Sequence, residues 1–146
     1  MRVEIPVKLL ADVTLPRYAT SGSGAVDLHT NIERPVPIPP GAVKTLPTGM
    51  AVALPEGYGL FISSRSGLAI QHDIIVLNAP GLIDSDYRGE IRVVLKNTGD
   101  TVFFIYPGAR IAQAFLVQLP TIQWSPVQEL PDTERGAGGF GHTGTT

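Results

Sequence analysis

The sequence predicts an all-β domain: an antiparallel sheet closed or sandwiched on itself, as in a jelly roll or distorted β-barrel. Three observations point there. Chain breakers are frequent, with 16 Gly and 13 Pro in 146 residues. The segments between them are short and rich in β-branched and other apolar residues. No window carries the 3.6-residue period of a long amphipathic helix.

The elements follow in order. Val3, Ile5, Val7 and Leu9 alternate as a strand does, and Pro6 among them marks an edge or a bulge. Leu15 to Gly24 reads as loop, and Ala25 to His29 as a short strand. Pro35, Pro37, Pro39 and Pro40 keep the chain extended up to Gly41. Ala42 to Leu46 and Met50 to Leu54 are strands, parted by a Pro47-Thr48-Gly49 turn. Glu56-Gly57 turns the chain into a strand over Tyr58 to Ser63. Ile74 to Leu77 is a compact apolar strand. Glu90 to Lys96 and Val102 to Ile105 flank Asn97 to Thr101, which predicts a hairpin. Arg110 to Leu119 is apolar enough for strand or helix, and Val117 with the short strands around it favours strand. Gln123 to Val127 completes the set. From Pro131 the composition shifts, and Arg135 to Gly144 is too glycine-rich to bury a core. The organisation expected is a β-barrel domain over residues 1–132 and a mobile C-terminal arm over 133–146.

Bulk composition excludes several classes. A hydrophobic fraction of 43% supports one packed domain. A net charge of -2 argues against a general nucleic-acid binder, though not against a nucleotide enzyme. Without cysteine there is neither a disulfide framework nor a thiolate metal site. No apolar run reaches bilayer length, and Met1-Arg2-Val3-Glu4 lacks a signal-peptide pattern. The expected location is cytoplasmic, with no membrane or nucleic-acid partner. His29, His72 and His142 are isolated, so they read as surface residues rather than zinc ligands. His72-Asp73, adjacent on a presumed strand, would point to opposite faces and make no dyad. Neither a P-loop nor a Gly-x-Ser-x-Gly elbow is present.

Three segments combine groups suited to chemistry. Ser64-Arg65-Ser66-Gly67 brings a guanidinium fork, hydroxyls and an unobstructed N–H, which suits either a phosphate cradle or a polar turn. Asn78 to Glu90 places Asp84, Asp86 and Tyr87 around a turn, either as an acid beside a cleft or as a solvated hairpin. In the arm, Arg135 and Phe140 among glycines could close on a nucleotide, or be part of a disordered end.

The order of these segments resembles that of the homotrimeric dUTPases, which carry five short motifs. Gly24-Ala25-Val26-Asp27-Leu28 is similar to the first, and Ser64-Arg65-Ser66-Gly67-Leu68-Ala69 to the second. Asn78 with Gly81 to Glu90 is similar to the third, and Pro107 to Gln113 to the fourth. Arg135-Gly136-Ala137-Gly138-Gly139-Phe140-Gly141 is similar to the fifth. Two positions depart from the family pattern. Gly24-Ala25 stands where the family has Ala-Gly, and Ser64 stands where it has Pro, which is expected to loosen a turn.

The resemblance implies hydrolysis of dUTP to dUMP and pyrophosphate, limiting uracil in DNA and supplying dUMP for thymidylate synthesis. It makes Asp84 the base for the attacking water. Arg65, Ser66 and Gly67 would hold phosphate oxygens, joined by Gln113. Magnesium would ride on the triphosphate and waters, with no direct protein ligand and with Asp27 reaching one of those waters. Leu82, Ile83, Ile91 and Arg92 would read uracil through their backbone, assisted by Asn78. Tyr87 would lie against the deoxyribose. Arg135 would meet the γ-phosphate and Phe140 would stack on uracil, from an arm closing a neighbouring subunit's site. Asp86 and Arg88 receive no catalytic role.

Two rivals share the scaffold. A dCTP deaminase needs a Glu on the returning strand, where this chain has Val94. A non-catalytic binder would more often lack one of Asp84, Arg65, Ser66, Gln113 or Arg135, all of which are present.

Overall fold

The computed structural model describes residues 2–140. Gly141 of the fifth motif, His142 and the last residues of the arm lie outside the described residues. Among those described there are eleven strands and one helix. The strands are β1 (Val7–Leu9), β2 (Val26–His29), β3 (Val36–Ile38), β4 (Val43–Pro47), β5 (Met50–Val52) and β6 (Tyr58–Ser63). After the helix α1 (Ser66–His72) come β7 (Ile74–Val76), β8 (Gly81–Ile83), β9 (Arg92–Asn97), β10 (Phe103–Ile105) and β11 (Arg110–Gln118).

All pairings are antiparallel. A four-stranded sheet runs β2-β11-β6-β8, and a three-stranded one β4-β9-β7. Two ribbons, β1-β5 and β10-β3, complete the jelly-roll architecture. The core between them is aliphatic: Leu28, Ile38, Ile74, Ile91, Val93, Leu95, Ile105 and Ile111 are fully buried. Period 2 assigns the faces. Leu28 of β2 and Ala112 and Ala114 of β11 point inward, so Asp27 and Gln113 point outward.

Several expectations need correction. The N-terminal alternation forms a ladder only over Val7–Leu9, which pairs with Met50–Val52. Helix α1 was not expected. Its seven residues are under two turns, and none is buried, so it carries no amphipathic signal. It ends at Asp73, in the left-handed region at φ 55, whose N–H returns to the Leu68 carbonyl. His72-Asp73 is therefore a helix end and not part of a strand. The His72 ring packs on Phe103, with centroids 4.8 Å apart.

The Asn97 to Thr101 segment is not a hairpin, because β9 pairs with β4 and β7 while β10 pairs with β3. Asn97 explains the divergence. Its buried amide donates to the Ile38 and Thr101 carbonyls at 2.8 and 2.7 Å and accepts from Gly99 N–H at 2.9 Å. Those bonds turn the chain away from β9 and lay it beside β3. His29 is half-buried rather than a surface residue, with Nδ1 enclosed and without a bond among the described residues. Gln123 to Val127 forms no strand. Trp124 and Val127 within it, and Ile122 and Leu130 beside it, are largely exposed, and among the described residues no strand pairs with it.

Candidate active site

The first cluster of functional groups sits at one end of the four-stranded sheet. Gln113 of β11 is in register with Asp27 of β2 on one side and Ser63 of β6 on the other, so all three share the outer face. Two residues past Ser63, Arg65 turns back over that face. Its Nε donates to Asp27 Oδ1 at 2.8 Å. Arg110 Nη1 reaches Asp27 Oδ2 at 3.2 Å, and Arg65 Nη1 reaches the Arg110 carbonyl at 3.3 Å. Asp27 thus holds two guanidinium groups in one place, with donors to spare for an anion. Ser66 and Gly67 follow Arg65 at the exposed start of α1, where a Cβ on Gly67 would meet nothing within 4 Å. The arrangement can receive phosphate oxygens. The sequence reading assigned no role to Arg110. Its signal was its place in the fourth motif; the structure sets it opposite His29, two positions along β2 from Asp27.

Asp27 occupies both carboxylate oxygens with arginine, and among the described residues no three acidic or His side chains gather as a metal cage. This donor set fits a magnesium ion carried in on phosphate oxygens, reached by Asp27 or Gln113 through water.

Ser64 does not loosen the turn. Its Oγ accepts the N–H of Val76 at 2.8 Å, tying the end of β6 to β7.

The second cluster is an arch. Strand β8 pairs with β6, and β9 lies in the other sheet, so the segment from Gly81 to Arg92 crosses between sheets instead of folding as a laddered hairpin. β8 is the last strand of its sheet, which leaves one side of Gly81–Ile83 unpaired. β7 pairs with β9 at Leu95 to Asn97, and the Leu77 N–H reaches the Val94 carbonyl at 2.8 Å. Beyond that point Arg92 has β4 on one side only. Asn78 stands where the chain leaves β7 for β8, and its amide would lie 3.1 Å from a Cβ on Gly81. Asn78 thus borders Gly81 at the foot of the arch, while Leu82 and Ile83 on β8 and Arg92 on β9 each lie on a strand with one side unpaired among the described residues.

Ile91 belongs to the frame of the arch and not to its surface. It is fully buried, its N–H donates to Met50 O at 2.9 Å, and its carbonyl accepts Thr48 Oγ at 2.6 Å. Glu90 adds a second anchor, accepting from Gly49 N–H at 2.9 Å. Gly49 is required there: φ is +72, and a Cβ would come within 2.8 Å of Val13.

At the tip, Tyr87 lies over Gly89, and its hydroxyl donates to the Glu90 carbonyl at 3.1 Å. Arg88 clamps the same loop through the Ser85 and Tyr87 carbonyls at 2.7 and 2.9 Å. Asp84 is exposed beside an open cavity of about 740 Å³, which also borders Tyr58, Asp86, Arg88 and Thr121.

The two clusters do not meet within one chain. Ile83 pairs with Leu60, so Asp84 stands near the Gly59 level of β6, while the phosphate-type cluster is at Ser63. At about 3.3 Å per residue the gap along the strands is roughly 13 Å. The outer face between them is apolar, with Phe61 stacked on Phe115 at 5.8 Å and Leu82 exposed beside them. In the arm, Arg135 Nε donates to the Gly138 carbonyl at 2.8 Å, and Phe140 is fully exposed.

Comparison with known proteins agrees with this geometry. The dUTPase family model matches residues 11–144. The deoxyuridine 5'-triphosphate nucleotidohydrolase of Chlamydia muridarum is 48% identical over 138 residues, covering 94% of this chain and 95% of that protein. Among solved structures, Staphylococcus bacteriophage 80alpha dUTPase with dUpNHpp superposes with a TM-score of 0.88 at 25% identity, over 97% of this chain and 99% of that one. A mutant dUTPase from phage phi11 of S. aureus, described with a structural Mg(II) ion, gives 0.80 at 21% identity, over 89% and 100%. No helix among the described residues is long and apolar enough to cross a membrane. An outward Asp27–Arg65–Arg110 cluster, a backbone-walled arch and a match along almost the whole length together place the chain in the dUTPase family.

Proposed function

We propose that this protein is a dUTP diphosphatase whose sites are assembled between copies of the chain, as a homotrimer. One observation carries the assembly: Asp84 and the Arg65 cluster lie at opposite ends of one sheet. A triphosphate held by Arg65, Ser66, Gly67 and Gln113 keeps its α-phosphorus within a few ångström of them, out of reach of Asp84 in the same chain. A proton acceptor must stand within hydrogen-bond distance of the attacking water. Asp84 of a second copy meets that need, and the half-exposed Phe61, Phe115 and Leu82 face offers the surface to be covered.

In this reading the substrate enters with uracil in the arch. The unpaired backbone of Leu82 and Ile83 and the open side of Arg92 read its edge, with Asn78 beside them and Ile91 as support. Uracil presents an N3–H donor and an O4 acceptor; cytosine reverses both, which would leave buried polar groups unpaired. Tyr87 lies along the sugar, where a 2′-hydroxyl would collide. Asp84 takes a proton from water as the water oxygen attacks the α-phosphorus in line. The bond from that phosphorus to the bridging oxygen breaks, and pyrophosphate leaves. Arg65 and Gln113 hold the charge that develops. Magnesium, when bound, neutralises the triphosphate and stabilises the departing pyrophosphate. Residues 133–146 close over a neighbour's site, Arg135 on the γ-phosphate and Phe140 on uracil. The product dUMP is the precursor required for thymidylate synthesis, and removal of dUTP keeps uracil out of DNA.

Mixing two inactive variants tests the assembly. Asp84→Ala and Arg65→Ala proteins, unfolded together and refolded, should regain pyrophosphate release from dUTP, because mixed trimers contain some intact sites. dCTP, dTTP and UTP serve as controls. If the mixture stays as inactive as its parts, the shared site is wrong. Ammonia release from dCTP would instead support a deaminase.

A further inference from the structure

We propose that Ser64 is a positioning residue for the triphosphate: its hydroxyl fixes the Arg65-Ser66-Gly67 cradle by anchoring it to β7. The inference rests on reading those three residues as the phosphate site.

The anchor is a single hydrogen bond, from Val76 N–H to Ser64 Oγ at 2.8 Å. Its setting makes it consequential. β7 is the edge strand of its sheet, and Leu77 N–H turns toward β9. By alternation, Val76 N–H turns away from β9, to the side where the chain enters α1. Val76 is only 3% exposed, so this donor has little access to water. A buried N–H left without a partner costs about as much as a lost hydrogen bond.

On the other side of the bond, α1 is lightly held. None of its residues is fully buried, Leu68 packs half-buried against the core, and its N-cap Arg65 makes no side-chain capping bond. Its far end is pinned by the Asp73 carbonyl, which accepts Thr98 N–H and Thr98 Oγ, both at 2.8 Å. Its near end is held by Ser64 and by the bonds of the Arg65 guanidinium, the group a phosphate would engage, to Asp27 and the Arg110 carbonyl. Ser64 thus braces the cradle without using a group that a phosphate would engage. It lies between Ser63, which is in register with Gln113, and Arg65.

The test separates the phosphates from the base. Binding of dUMP and of the non-hydrolysable dUpNHpp is measured by calorimetry for the wild type, Ser64→Ala, Ser64→Thr and Arg65→Ala. Ser64→Ala should weaken dUpNHpp about tenfold while dUMP stays within about twofold, the size expected from one hydrogen bond. Ser64→Thr, which keeps the hydroxyl, should restore the wild-type ratio. If Ser64→Ala does not fold, Ser64→Cys, near-isosteric with a weak acceptor, should show the same change in ratio. Equal loss of both ligands, or loss of neither with a lowered melting temperature, would show that Ser64 only braces the fold. If Arg65→Ala also leaves dUpNHpp unchanged, the phosphate cradle itself is misassigned, and the proposal falls with it.

Discussion

The two ends of the four-stranded sheet are built in opposite ways. At the Ser63 end the groups are already bound to one another: Asp27 grips Arg65 and Arg110, and Ser64 grips β7. At the arch the backbone edge is open. Among the described residues the outer side of β8 has no strand beside it, and Asp84 is exposed. The difference matches what each end would meet in the proposed function. A triphosphate is held by charge, and charges are most useful when their geometry is set in advance. A base is read by a pattern of donors and acceptors, so the reading groups must be unpaired until it arrives. The bound end needs a counter-charge of its own, Asp27, to keep two guanidinium groups side by side. The open end needs rigid supports instead, which Ile91, Thr48, Gly49 and Glu90 provide.

The largest effect should come from the open end. Asp84→Ala removes the proton acceptor and should lower kcat by about 10²–10⁴-fold, with dUpNHpp binding retained. Near-normal turnover in the purified variant would end the assignment. Next is the arm. Deleting residues 133 to 146 should preserve the circular dichroism spectrum and reduce kcat/KM about 10²-fold, as loss of one phosphate-directed donor set does. An arm-less protein with full activity would mean that neither end needs closure. The smallest effect is on selectivity. Tyr87→Ala should leave dUTP turnover within roughly tenfold and raise the kcat/KM for UTP, narrowing the ratio between the two. A ratio that does not move would take Tyr87 off the sugar, leaving it as a prop for Gly89 and Glu90.

Much of this was legible in the residues. Tyr58 to Ser63 reads as a strand to the residue, because apolar residues fill it and Glu56-Gly57 bounds it. The order of the motifs singles out Arg65, Asp84 and Gln113, of which the structure sets Arg65 and Gln113 at one end of the sheet and Asp84 at the other. What local reading could not supply is pairing. Asn97 to Thr101 carries every sign of a hairpin, yet its strands go to different sheets, because one buried amide sends the chain to β3. The same gap concealed the distance between Asp84 and Arg65. Motif order carries no register, and the Ile83–Leu60 and Ser63–Gln113 pairings that separate them are long-range. Helix α1 escaped because a seven-residue helix with no fully buried residue has no periodicity to detect. Ser64 looked like a loosened turn, since the partner of its hydroxyl is twelve residues on.

The stretch after β11 has a practical consequence. Trp124 is the sole tryptophan of the chain and is 83% exposed. An indole in that setting emits as a hydrated fluorophore, and any surface that covers the segment from Ile122 to Leu130 would dry it. The chain therefore contains its own spectroscopic gauge of what that segment touches, readable in native protein without a label and as a function of dilution.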